Sequence, residues 1–274
     1  MEIGIDQAEA TGKGSWLVRL GRLGYAVKGI VYIVVGFLAT KAGMGMSGGE
    51  TTDSQGAVQA IGSEPLGQVL LVIVAAGLLG YAAWRLVSAV KDAERRGDEP
   101  TSIAVRIGEA ARGLIYGSLG AWTLRYILTD STGEGERTRG LVATALELPS
   151  GRWLVVAAGL GVIGYALYQV YRAVSGKFMK RLDFSDAGYK ARTWTERFGR
   201  FGIIARAVVF AVIGSLVARA GWNYAPSQAG GVERSLDVIA REQSGYVFIA
   251  IAVGLIAYGL FEIATARYRV MRTG

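Results

Sequence analysis

Three cations recur in one pattern: Gly24, Lys28, Tyr32 and Gly36; Gly108, Arg112, Tyr116 and Gly120; Gly202, Arg206, Phe210 and Gly214. Four-residue steps keep glycine, cation, aromatic and glycine near one face of an α-helix. Each cation sits inside an apolar run, where a charge is costly and marks either a neutralised structural position or a working group. The chemistry within reach is narrow. With no histidine and no cysteine, the commonest general base and metal ligand is missing, and thiol catalysis and disulfides are excluded. No nucleophile–base pair, metal-ligand cluster or phosphate-cradling loop is readable, so the expectation is a non-enzymatic protein without cofactor or metal. Lysine and arginine can instead hold an anion, and the guanidinium fork suits phosphate or carboxylate.

Lys28, Arg112 and Arg206 each follow another basic residue, Arg22, Arg106 or Arg200, by six positions, which is ~9 Å along a helix. Counting back from the ends of the even-numbered apolar runs puts Arg85, Gln169 and Glu262 at about the same depth, with Glu109 one turn nearer the water. The spacing therefore predicts a layer of four cations, two carboxylates and one amide, net charge +2. Tyr32, Tyr116, Tyr81, Tyr165 and Tyr258 should lie one turn deeper. Two readings stand side by side. In one, the long side chains snorkel to the headgroups, and Arg206 with Glu262 or Arg112 with Glu109 are neutralising pairs. In the other, Lys28, Arg112, Arg206, Arg85 and Gln169 hold an anion or a lipid headgroup, while Glu109 and Glu262 limit the charge. The loop carboxylates Asp53, Glu64, Asp130, Glu134, Asp183 and Asp186 lack paired spacing and read as solvated or helix-capping groups.

The elements that must position this layer are apolar. Hydrophobic residues make up 51% of the 274, mean hydropathy is +0.34, and 40 glycines lie mostly inside apolar runs. Membrane helices tolerate glycine and use it for close packing; the pairs Gly113 with Gly117 and Ala157 with Gly161 read as such packing positions. Six stretches, Leu23 to Ala42, Leu66 to Val87, Ala110 to Leu128, Trp153 to Tyr171, Phe201 to Ala218 and Tyr246 to Ala264, approach the ~20 residues needed to cross ~30 Å of hydrocarbon. Met1 to Ser15 has three acids and one lysine, unlike a cleaved signal peptide.

With both termini on one side, the loops of that side hold 19 Lys and Arg against 8 opposite. The positive-inside rule then makes the termini cytoplasmic. The +8 net charge is a topology signal and an attraction to anionic lipid, not a nucleic-acid footprint.

The repeat is larger than one helix. Even-numbered spans share Gly77, Gly80, Tyr81 and Trp84; Gly161, Gly164, Tyr165 and Tyr168; Gly254, Ala257, Tyr258 and Phe261. Between the spans, 56–61, 140–148 and 232–239 read as short interfacial helices, followed by turns at Pro65 with Gly67, Pro149 with Gly151, and Ser244 with Gly245. Each unit crosses twice, so the copies point the same way, and a pseudo-threefold bundle is the natural arrangement. Inverted repeats, the usual sign of a rocking transporter, are absent.

These residues resemble a bacterial membrane-protein family defined by domain of unknown function 1206. Its pattern of glycine, cation and tyrosine, a Gly-Ala-Val loop, a Pro-x-Gly turn and a Gly-x2-Gly-Tyr-x2-aromatic-Gln close is matched by Gly24, Lys28, Tyr32, Gly56, Ala57, Val58, Pro65, Gly67, Gly80, Tyr81 and Trp84, with the closing glutamine present only as Gln169. The third copy departs most, with Phe210 for tyrosine and Glu262 for glutamine. The resemblance implies the fold and the bacterial inner membrane but no activity.

The sequence thus predicts an all-α membrane protein of six transmembrane helices in three parallel hairpin repeats. Its parts are an N-terminal segment 1–18, repeats at 19–92, 93–176 and 197–274, and a basic linker 177–196 lying on the cytoplasmic leaflet. The expected function is binding of an anion or anionic lipid, as a binder, channel or transporter. The rival is a scaffold subunit whose small-residue faces meet other membrane proteins.

Overall fold

Glycine leaves room for a neighbouring backbone, and the long helices of this protein meet where that room is used. The computed structural model describes residues 3–46, 48–63, 67–90, 100–129, 137–185 and 187–270. Six long helices carry the fold: α1 (Ile3–Gly43), α3 (Gly67–Val90), α4 (Pro100–Thr129), α6 (Gly151–Val174), α7 (Tyr189–Trp222) and α9 (Gly245–Tyr268). Short helices α2 (Ser54–Gly62), α5 (Arg137–Leu146) and α8 (Val232–Glu242) occupy the three places where the sequence predicts interfacial helices.

Among the described residues five helices are long and apolar enough to span a membrane, namely Val18–Gly43 of α1 together with α3, α6, α7 and α9. The sixth predicted span differs. α4 has the length, at 30 residues, but Arg106, Glu109, Arg112 and Arg125 dilute its apolar character. Exposed aromatic residues stand at both ends of the helices, Trp153, Trp222, Tyr224 and Tyr246 at the loop-helix end and Tyr171, Tyr189 and Trp194 at the other, as expected at membrane interfaces.

The most extensive packing joins different repeats: α9 to α1, α6 to α7 and α3 to α4. Glycine lies at each of these seams. A methyl on Gly36 would meet the Ala252 carbonyl, one on Gly120 the Leu79 side chain, and one on Gly214 the Gly159 carbonyl. Within the repeats, α1 packs on α3 and α7 on α9, whereas α4 and α6 barely touch among the described residues. The helices are therefore ordered α4, α3, α1, α9, α7, α6, with an opening between the two of the second repeat. Gly113 and Gly117 pack, against Leu86 and Ala82. Ala157 and Gly161 do not pack as expected: both are exposed, and Gly161 faces open space.

The loop-side helices are held by apolar faces and caps. Asp53 accepts from the backbone N–H of Gln55 at 2.8 Å and Gly56 at 3.1 Å, capping α2, while Asp183 accepts from Ser185 N–H at 2.9 Å. Glu64, Pro65, Asp130, Glu134 and Asp186 lie outside the described residues. Gly67 and Gly151 are needed for tight turns, since a methyl there would strike the Gly62 or Ala145 carbonyl. Gly245 is open, and there the preceding proline is also missing.

The basic linker is pinned to the last helix. Phe178 is buried edge-on against Phe261, with ring centroids 5.4 Å apart. Asp183 N–H donates to the Tyr268 carbonyl at 2.9 Å, and Val270 N–H to the Arg181 carbonyl at 3.1 Å.

Candidate functional site

Because seams form between successive repeats, the residue closing an even helix faces the recurring cation of the next odd helix. On α9, Glu262 accepts from Lys28 Nζ of α1 at 2.8 Å, and Tyr258 OH accepts from the same nitrogen at 2.9 Å. On α3 the equivalent position is Arg85, a like charge facing the arginine side of α4. It is balanced by Glu109, which accepts from Arg85 Nη1 and, at 3.2 Å, from Arg112 Nη1. On α6 the equivalent position is the neutral Gln169, whose amide oxygen accepts from Arg172 at 3.0 Å. Lys28, Arg85, Glu109, Gln169 and Glu262 are all buried.

Arg206 is consequently different. Its Nε donates to Tyr32 OH at 3.1 Å and its guanidinium lies over the rings of Phe210 at 4.5 Å and Tyr258 at 4.9 Å. Among the described residues it makes no ion pair with a carboxylate. Arg112 shares Glu109 with Arg85 and donates from Nη2 to Tyr165 OH at 3.1 Å. Its side chain remains 30% exposed, against 6% for Glu109. Tyr165 also packs edge-on against Phe210, centroids 5.9 Å apart, so the two least neutralised cations flank one α6 tyrosine, beside the opening between α4 and α6.

Four of the five predicted tyrosines surround Lys28, whose ammonium lies 6.0 Å from the ring centroid of Tyr32, 5.6 Å from Tyr81, 5.4 Å from Tyr116 and 5.2 Å from Tyr258, within cation–π range. Lys28, Tyr81 and Tyr258 are buried at this level. Guanidinium and ammonium groups here rest on ring faces and phenol oxygens as much as on carboxylates, while Arg85 Nε has no hydrogen-bond partner among the described residues.

Spacing missed Tyr25. Its hydroxyl accepts from Arg85 Nη2 at 2.6 Å, and the Arg269 guanidinium lies 5.2 Å from its ring. It occupies the repeat position of Glu109, one residue after the glycine, and comparison of the copies at that position is the signal that could have found it.

At the opposite end of the helices, Glu233 of α8 is pushed above the usual carboxylate range by partial burial first and then by Asp53, Asp237 and Glu50. Among the described residues no group of histidine, cysteine and carboxylates could hold a metal ion.

A family model described as Domain of Unknown Function (DUF1206) matches the chain three times, over residues 23–92, 107–176 and 201–269. The chain is also 34% identical over 257 residues to the uncharacterized protein YxxB of Bacillus subtilis (strain 168), covering 93% of this chain and 92% of that one. No solved structure matches.

Proposed function

The chain belongs to the DUF1206 family, and from that premise we propose that this multi-pass membrane protein binds a phosphate-bearing anion, free or as a lipid headgroup, between Arg112 and Arg206. In this reading α4 completes the sixth crossing, since the hairpin repeats require it. The termini face the cytoplasm of a bacterial inner membrane, the side with 19 of the basic loop residues, and the anion is taken from that leaflet.

The observation carrying the proposal is the place of Gln169. It holds the position from which Glu262 neutralises Lys28, so the α6–α7 seam brings Arg206 no carboxylate. The layer keeps four cations against two carboxylates, and the excess falls at Arg206 and the partly exposed Arg112. A guanidinium pair of that kind can grip phosphate through several charge-assisted hydrogen bonds. Lys28 and Arg85, buried with Glu262 and Glu109, set the architecture and lend positive potential. With four rings gathered around Lys28, binding fits better than conduction along an axis.

Gln169→Glu tests this without truncating a side chain. Native mass spectra of the detergent-purified parent, offered phosphatidylglycerol or inorganic phosphate, should retain an anionic adduct that Gln169→Glu and Arg206→Gln both lose. The mass tells lipid from free phosphate. Equal adducts on all three proteins, or none on the parent, would overturn the proposal. The scaffold reading has one observation in its favour, the unpacked glycine face of α6. It requires a co-purifying helix whose retention fails with Gly161→Leu and not with Gln169→Glu.

A further inference from the structure

Hairpins of the first and third repeats close on the same two pairs of positions, with a further contact at Gly80 in the first. In the first, methyls built on Gly24, Gly77 and Gly80 would fall on Tyr81, Val27 and Leu20; in the third, methyls on Gly202 and Gly254 would fall on Tyr258 and Ala205. The matching residues of the second repeat are Gly108 with Tyr165, Ala111 with Gly161, and Gly164. Among the described residues a methyl on Gly108, Gly161 or Gly164 meets nothing within 4 Å. Burial agrees: Val27 and Ala205 are 1% and 5% exposed, whereas Ala111 is an exposed residue.

The second repeat is not loose elsewhere. α4 is seated on α3 through Gly113 and Gly120, and α6 on α7 through Gly159. One interface is therefore left unmade, although its small residues are present. In the open arrangement these glycines contact nothing across the gap, and glycine in a helix interior carries a conformational cost. A long-reach hydrogen bond, Arg112 Nη2 to Tyr165 OH at 3.1 Å, already links the two walls.

We propose that α4 and α6 are the two walls of a lateral gate. The gate closes by bringing Gly108 onto Tyr165 and Ala111 onto Gly161, the contacts their counterparts already make. Open, as here, it leaves Arg112 and the edge of the polar layer accessible from the bilayer; closed, it covers them. Packed helix pairs with two discrete arrangements are the usual material of such a switch. The inference needs no bound anion and stands apart from the reading of Arg206.

The chain contains no cysteine, so introduced pairs report cleanly. Ala111→Cys with Gly161→Cys spans the gap. Ala82→Cys with Gly117→Cys is the reference, because a methyl on Gly117 would lie 3.3 Å from Ala82 Cβ across a closed seam, near disulfide spacing. Under mild oxidation in lipid nanodiscs the reference should close rapidly and completely. The gate pair should close more slowly but extensively, and should lose most of that yield when Gly108→Leu is added, a change that fits the open form and obstructs the closed one. Formation of the reference bond in the Gly108→Leu background confirms that this variant folds. No gate disulfide while the reference is complete would overturn the inference, and would point to a hairpin held open or occupied by another helix. A gate disulfide as fast as the reference and indifferent to Gly108→Leu would overturn it equally, as a hairpin permanently closed.

Discussion

Lys28 on the first long helix and Glu262 on the last, 234 residues apart in the chain, are joined by a buried 2.8 Å ion pair. The bond lies across the α9–α1 seam, and the equivalent positions of the other two seams hold Arg85 and Gln169. Removing one partner strands a charge in a medium that cannot solvate it, at a cost of about 3–5 kcal/mol. Glu262→Gln should therefore lower the thermal midpoint of the purified protein sharply, read by intrinsic fluorescence. Lys28→Met combined with Glu262→Leu should recover most of the loss, since both charges are then gone.

Glu109 serves two guanidinium groups from different helices. Glu109→Gln should destabilise the α3–α4 seam by a similar amount, about 3–5 kcal/mol, and raise the layer's charge. Anionic lipid adducts should strengthen on this variant while they vanish on Gln169→Glu. Opposite movement of the two, measured on one lipid mixture, separates charge balance from mere disruption of the fold.

Gly24 and Gly108 hold the same repeat position in different surroundings. A methyl on Gly24 would overlap Tyr81, and one on Gly202 would overlap the Tyr258 backbone, while Gly108 faces open space. Gly24→Ala and Gly202→Ala should each cost about 1–3 kcal/mol by overpacking. Gly108→Ala should leave the melting temperature unchanged or slightly raised, and equal losses at all three positions would refute the asymmetry of the hairpins.

Acid should stabilise the loop-side end. Glu233 has its proton affinity raised in the folded protein by partial burial and by Asp53, Asp237 and Glu50, so the folded state holds that proton more firmly than the unfolded chain. Stability then rises as pH falls from neutrality through the raised value, and levels off below the ordinary glutamate range. Glu233→Gln should remove this part of the dependence, as measured by thermal midpoints across a pH series.

Much of the fold was legible because hydrophobic length and glycine spacing are local properties. The long helices, the three short helices that precede the even spans, and the recurrence of the unit can be read residue by residue. α4 is the telling departure. Its length fits a span, yet Arg106, Glu109 and Arg112 belong to the polar layer and lower its hydropathy, so composition alone does not rank it with the other five.

The sequence by itself determined which helices carry Lys28, Arg85, Glu109 and Glu262 and that these residues come at similar depth, because depth along a helix follows from counting residues, although it missed Tyr25. Only the tertiary structure decided which charges are neutralised. Seams form between repeats, so Glu262 finds Lys28, Glu109 is shared by Arg85 and Arg112, and Gln169 brings no carboxylate to Arg206. It also decided that three similar hairpins are not alike. Identical glycines at 24, 108 and 202 close the hairpins of the first and third repeats and leave that of the second open, since whether a small residue is used depends on where the neighbouring backbone lies, and that is set by the helices on either side rather than by the residue itself.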